Sequence, residues 1–100
     1  MMGKYYVYIL TNQYKTVLYT GVTNNLKRRL VEHDENIRLR KTTFTARYKC
    51  RHLLYFENYV WVQEAIAREK EIKGWVRVKK MELIKTTNPD FEFLEDNFLF

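Results

Sequence analysis

The chain has 100 residues, 46% of them hydrophobic, with one proline and one cysteine, which suits a single domain with one modest core. Lone Cys50 excludes an internal disulfide and a cysteine-based metal set, so a reducing compartment is expected. The net charge of +6 is confined to residues 36–51, where Arg38, Arg40, Lys41, Arg47, Lys49 and Arg51 occur without an acid; either the segment faces a polyanion or it is a solvated basic loop.

At the N-terminus, the apolar run after Lys4 ends by Thr11. That is too short for a signal peptide's hydrophobic core or a membrane span, so a cytoplasmic chain without membrane association is expected. Residues 5–10 and 17–22 are apolar and aromatic at nearly every position and read as two strands of a covered sheet, with a polar turn at 12–15. A two- or four-residue loop would place Leu10 opposite Val17 and Tyr8 opposite Tyr19, about 5.5 Å apart at Cβ.

A helix is expected from Asn24 or Asn25, either of which is a good N-cap, with Leu26, Leu30, His33 and Ile37 at helical spacing. Arg29 shares the inward side of that helix. Residues 51–57 read as a third strand, and 61–73 as a second helix that stops at Gly74 in a left-handed cap. Its apolar positions are Val62, Ala65, Ile66 and Ile72, and Glu69 completes the same stripe. A third helix spans 75–86 and ends before Asn88-Pro89. Residues 90–100 form a separate tail with Asp90, Glu92, Glu95, Asp96 and four phenylalanines. Phe91, Phe93 and Phe98 are expected to pack on the domain or on a second copy or partner, with the acids outward. The fold expected is α/β in the α+β sense: a small three-stranded antiparallel sheet flanked by helices over 1–89, followed by the tail.

Glu69 on an apolar stripe needs a partner, because breaking a buried ion pair costs about 3–5 kcal/mol. It is either the salt-bridge partner of Arg29 or a metal-binding carboxylate at the floor of a groove. Arg29 is either that partner or a cation aimed at phosphate. His33 is a structural histidine or a base, and Tyr8 and Tyr19 taken singly are ordinary strand aromatics. Together they form a set of the kind that phosphodiester cleavage needs.

The triplets Tyr6-Val7-Tyr8 and Tyr19-Thr20-Gly21, followed by residues 22–29 (VTNNLKRR), resemble the GIY-YIG nuclease superfamily, and most closely its small stand-alone bacterial members related to the N-terminal nuclease domain of the repair subunit UvrC. The stretches TFTARY (43–48), LLYFE (53–57) and AREKEIKGW (67–75) are similar to those members, and the resemblance covers roughly residues 4–89. It implies a metal-dependent endonuclease acting on nucleic acid, DNA ahead of RNA, in repair or recombination. Tyr8, Tyr19, Arg29, His33 and Glu69 would be catalytic, with Mg²⁺ or Mn²⁺ on Glu69. Tyr19 would be the general base, with Tyr8 in its hydrogen-bond network and His33 the competing base. An unperturbed tyrosine has a pKa of about 10, so a phenolate at neutral pH costs about 4 kcal/mol unless positive charge stabilises it.

Arg38, Arg40, Lys41, Arg47, Lys49 and Lys73 would grip the backbone, with Arg77, Lys79 and Lys80 extending the track. Departures from the family pattern are Tyr6 for the first glycine, Thr20 for isoleucine, and Val22 where the repair enzyme has a lysine. Asn88 is available for an asparagine that the family often carries late in the domain. The alternative is a non-catalytic nucleic-acid-binding module on the same scaffold.

Overall fold

The computed structural model describes residues 3–99, with side chains through residue 97, so the expected packing of Phe98 lies outside the described residues. Strand β1 is Tyr5–Thr11 and β2 is Leu18–Thr23, followed by helices α1 (Leu26–Arg38) and α2 (Phe44–Arg47). Strand β3 is His52–Tyr59, and α3 (Val62–Lys73), α4 (Arg77–Lys85) and α5 (Asp96–Leu99) follow among the described residues. The sheet is antiparallel throughout, in the order β2-β1-β3.

β1 is the central strand and carries helices on both faces, which explains its unbroken apolar run. Val7 and Ile9 point to one face, where they meet Ala65 and Ile72 of α3 and Ile84 of α4. Tyr8 and Leu10 point to the other, against Leu26 and Leu30 of α1. Each such fully buried aliphatic contributes about 1.5–3 kcal/mol. A register shift of β3 between Ile9 and Leu10 puts the consecutive residues Leu54 and Tyr55 in the first cluster and Leu53 and Phe56 in the second.

The β1–β2 register differs from the expected one. Tyr8 lies opposite Gly21 and Leu10 opposite Tyr19. The loop runs over residues 12–17 because Asn12 spans it: its Oδ1 accepts the Thr16 N–H at 2.8 Å, and its Nδ2 donates to Thr16 Oγ1 at 2.7 Å. The loop length stays even, so Tyr8 and Tyr19 still share one face, set diagonally instead of directly opposite.

Asn25 caps α1 by accepting the Arg28 N–H at 3.0 Å, and Leu26, Leu30 and His33 are buried as the spacing required. In α3 the sheet-facing stripe is Ala65, Glu69 and Ile72; Ile66 is 40% exposed, since it lies about 100° around the helix from Ala65. Gly74 is not left-handed: its φ is −78°, and the chain leaves α3 through a tight turn closed by Trp75 N–H to the Ile72 carbonyl at 3.0 Å.

Residues 88–97 return to the domain. Buried Asn88 donates to the carbonyls of Leu54 and Glu92 at 3.0 and 2.9 Å and accepts the Glu92 N–H, and the Leu94 N–H donates to the Leu53 carbonyl. Glu95 is not outward. Its carboxylate accepts the Leu53 N–H at 2.9 Å and pairs with His52. Asn88 therefore has a structural use, tying the tail to β3. No helix among the described residues is long and apolar enough to cross a membrane.

Candidate active site

Tyr8 is the centre of the site and is 1% exposed. Its ring fits because position 21 is glycine: a Cβ there would lie 2.5 Å from Tyr8 Cζ and Oη. Gly21 thus serves a close approach, with no need for unusual backbone angles.

The Tyr8 hydroxyl lies 3.0 Å from His33 Nε2, and His33 Nδ1 lies 2.9 Å from Thr45 Oγ1. Arg29 Nε donates to the same Tyr8 oxygen at 3.4 Å. A guanidinium can only donate, so the phenol oxygen accepts from Arg29 and its own proton is free for His33 Nε2. His33 is then the Nδ1–H tautomer, donating to Thr45. Thr45 sits on α2, an element too short to show any periodicity, and no sequence reasoning assigned it a role; TFTARY was its only signal.

The electrostatics agree with this orientation. Burial, partly offset by the Arg29 contact, pushes the Tyr8 phenol up to about 12. Burial, reinforced by the Arg29 charge, pushes His33 down to about 4. Both groups are neutral near pH 7. Burial works against the Arg29 charge, but hydrogen bonds to Tyr8 and Glu32 outweigh it and raise its pKa. The Arg29–Glu32 contact is long, at 3.5 Å, and the arginine side chain keeps 36% of its exposure.

Tyr19 packs its ring 6.4 Å from Tyr8 and 5.7 Å from His33, then stacks on Phe44 at 5.8 Å. It is only partly buried. Glu69 approaches from α3, close enough for its charge to raise the Tyr8 pKa, and it makes no ion pair with Arg29. Its partner is Lys73, at 3.0 Å, with the glutamate side chain 14% exposed and the lysine 50%. Lys73 is therefore held at the carboxylate instead of joining the basic segment.

Of the other expected phosphate contacts, Arg38, Arg40, Lys41, Arg47 and Lys49 are all exposed, along the end of α1 and around α2. Arg38 leans on Asp34 at 3.8 Å. Arg77 does not extend the track: its guanidinium donates to the Lys15 and Thr16 carbonyls at 2.8 and 3.1 Å and clamps the hairpin loop.

Among the described residues no three histidine, cysteine or acidic side chains gather, so a cation at Glu69 would rely on its carboxylate and on water for most of its ligands. That all-oxygen set fits a hard divalent ion, which keeps several waters. The Lys73 ammonium shows that positive charge settles there. Arg29 and Tyr19 are partly exposed and Glu69 less so, whereas Tyr8 and His33 are buried.

The LLYFE and AREKEIKGW stretches meet through a separate network. Glu57 accepts from Tyr55, Tyr59 and Arg68, the last through Nε at 3.0 Å and Nη2 at 3.0 Å, and Arg68 also holds Glu71. Burial opposes the Glu57 charge, but these donors hold its pKa below the usual carboxylate value. Every oxygen is satisfied, so this network locks α3 to β3.

A profile of the GIY-YIG catalytic domain matches residues 4–82. The chain is 41% identical over 89 residues to a UPF0213 protein of Syntrophus aciditrophicus, covering 89% of this chain and 98% of that one. It is 36% identical over 84 residues to a UPF0213 protein of Natronomonas pharaonis, covering 84% and 94% of the two chains. Among solved structures, the solution NMR structure of a UPF0213 protein from Bacillus halodurans superposes with a TM-score of 0.54 at 26% identity, covering 93% of this chain and 92% of that one.

Proposed function

The chain belongs to the GIY-YIG catalytic-domain family, and from that premise we propose that it is a divalent-metal-dependent endonuclease that hydrolyses phosphodiester bonds in DNA, acting in the cytoplasm in repair or recombination. The observation that carries the reading is the convergence on Tyr8: Arg29 donates to its hydroxyl, Tyr19 packs against its ring, and the Glu69 charge reaches it from another helix.

In this mechanism Arg29, charged and partly exposed, neutralises the non-bridging phosphate oxygens as charge builds on them. Tyr8 and His33 are positioning residues. Their neutral hydrogen-bonded pair fixes the Arg29 Nε and backs the Tyr19 ring. Tyr19, as the general base, orients the attacking water and takes its proton. Glu69 would hold Mg²⁺ or Mn²⁺, with Lys73 displaced from its carboxylate. When bound, such an ion supplies Lewis acidity at the leaving oxygen. The exposed cations of residues 38–49 grip the backbone without reading bases, so binding is salt-sensitive and tolerant of sequence.

The test is cleavage of labelled DNA and RNA in Mg²⁺, Mn²⁺ or chelator by wild type, Glu69→Gln, Tyr19→Phe and Arg29→Ala. Metal-dependent cleavage of DNA that is lost in Glu69→Gln with an unchanged melting temperature supports the reading. The Glu69–Lys73 ion pair favours one rival, a binding module in which Glu69 is structural. That rival predicts binding without cleavage and a lower melting temperature for Glu69→Gln.

A further inference from the structure

A cleft of about 680 Å³ opens beside the β1–β2 loop, lined by Tyr14, Tyr48, Lys49, Arg51, His52 and Phe93. Its walls alternate flat rings and cations. Tyr14 is 79% exposed and Tyr48 46%, an arrangement that adds little to the core. The floor is built: the His52 ring lies flat on Phe93 at 3.8 Å with 7° between planes, and Glu95 holds His52 in place.

The cations have few competing uses. The Lys49 side chain makes no ion pair among the described residues, and Arg51 has only a 3.7 Å contact to Asp34. Lys15 brings a third cation to the rim, 5.2 Å from the centre of the Phe93 ring. Lys15 and Lys49 have φ of 58° and 56°, a left-handed conformation that glycine or asparagine adopts at lower cost.

The cleft is also joined to the candidate active site. Tyr19 stacks on Phe44, and Phe44 meets Tyr48 at 4.8 Å, so rings run without a gap from the site to the cleft wall. We infer that this cleft holds an unpaired nucleobase of the substrate strand against Tyr48 and Tyr14, with Lys49, Arg51 and Lys15 on the adjoining phosphates. The inference rests on the nucleic-acid reading above and narrows it: the substrate carries single-stranded nucleotides beside the bond to be cut. A base inside a duplex has both faces stacked and cannot use this platform, whereas an unpaired base of any identity can.

Fluorescence anisotropy in chelator separates binding from cleavage. The probes are a labelled single-stranded oligonucleotide and a blunt duplex of the same sequence, titrated with wild type, Tyr14→Ala, Tyr48→Ala and Tyr48→Phe. Each alanine variant is expected to weaken single-strand binding about ten-fold and duplex binding less than two-fold, while Tyr48→Phe, which keeps the ring, binds as wild type. Tyr14 lies on an exposed loop, so its variant reports on the cleft even if Tyr48→Ala lowers stability. Equal losses on both probes, no loss on the single strand, or a phenylalanine variant as weak as alanine would overturn the inference. A protein that binds in the expected way but never cuts with metal loses the nuclease reading and keeps the cleft.

Discussion

His33 makes the fold acid-sensitive in a defined window. In the unfolded chain its imidazole titrates near 6.5, while in the fold burial and Arg29 lower it to about 4. Above 6.5 both states hold a neutral ring and stability is independent of this group. As pH falls from 6.5 to about 4 the unfolded chain binds a proton that the folded one does not, so stability drops by about 1.4 kcal/mol per pH unit. The total is about 3 kcal/mol, a large share of the 5–15 kcal/mol typical of a domain. The groups facing the ring are Tyr8, Tyr19, Arg29, Glu32 and Thr45; of the two charges that act on it, Arg29 lowers its pKa and Glu32 opposes the shift. Urea denaturation from pH 7.5 to 4, comparing wild type with His33→Gln, measures the effect. Wild type should lose about 3 kcal/mol more than the variant over that range, most of it above pH 4.5 where carboxylates contribute little. Parallel curves would refute a histidine whose charging is opposed by burial and Arg29.

Other substitutions test other parts of the structure. Gly21→Ala puts a methyl group 2.5 Å from the Tyr8 ring, so it should lower stability by about 1–3 kcal/mol in urea melts and abolish any cleavage that requires Arg29 in place. Thr20→Val should raise stability by about 1 kcal/mol, because Thr20 Oγ1 is buried with no hydrogen-bond partner and the swap removes it without leaving a cavity. Gly74→Ala should raise the melting temperature by the equivalent of about 0.4–1 kcal/mol, since φ is −78° and a Cβ would meet the Glu71 carbonyl oxygen at an ordinary 3.5 Å.

What was legible in the sequence was what repeats or alternates. Leu26, Leu30 and His33 are a helical face, and their burial follows from 3.6-residue spacing. The shared face of Tyr8 and Tyr19 survived an incorrect register, because face depends only on whether the loop is even, while register depends on its length. The length was set by the Asn12 side chain, a single residue outside any pattern. Thr45 and Glu95 were missed for a related reason: Thr45 acts through a long-range hydrogen bond to His33 and Glu95 through two, to Leu53 and His52, and such bonds leave no periodic trace. The stripe on α3 was legible in outline, yet Ala65 and not Ile66 carries it to the sheet.

The family triplets make physical sense as one device built on two strands. Gly21 leaves the space that the Tyr8 ring fills, and the antiparallel pairing of Tyr8 with Gly21 puts that space directly opposite the residue that needs it. With the ring seated, its hydroxyl reaches the inward face of α1, where His33 and Arg29, four residues apart, stand one turn from each other. His33 is anchored in turn by Thr45, so the position of a partly exposed arginine is set by a chain of buried neutral groups running from β2 to α2. Neutrality matters here. A phenolate at Tyr8 or an imidazolium at His33 would add a buried charge beside Arg29, and the directions of both pKa shifts disfavour it. The positive charge of Arg29 thus stays uncompensated on its exposed side except for a 3.5 Å contact to Glu32, which leaves it available to an anion such as a phosphodiester.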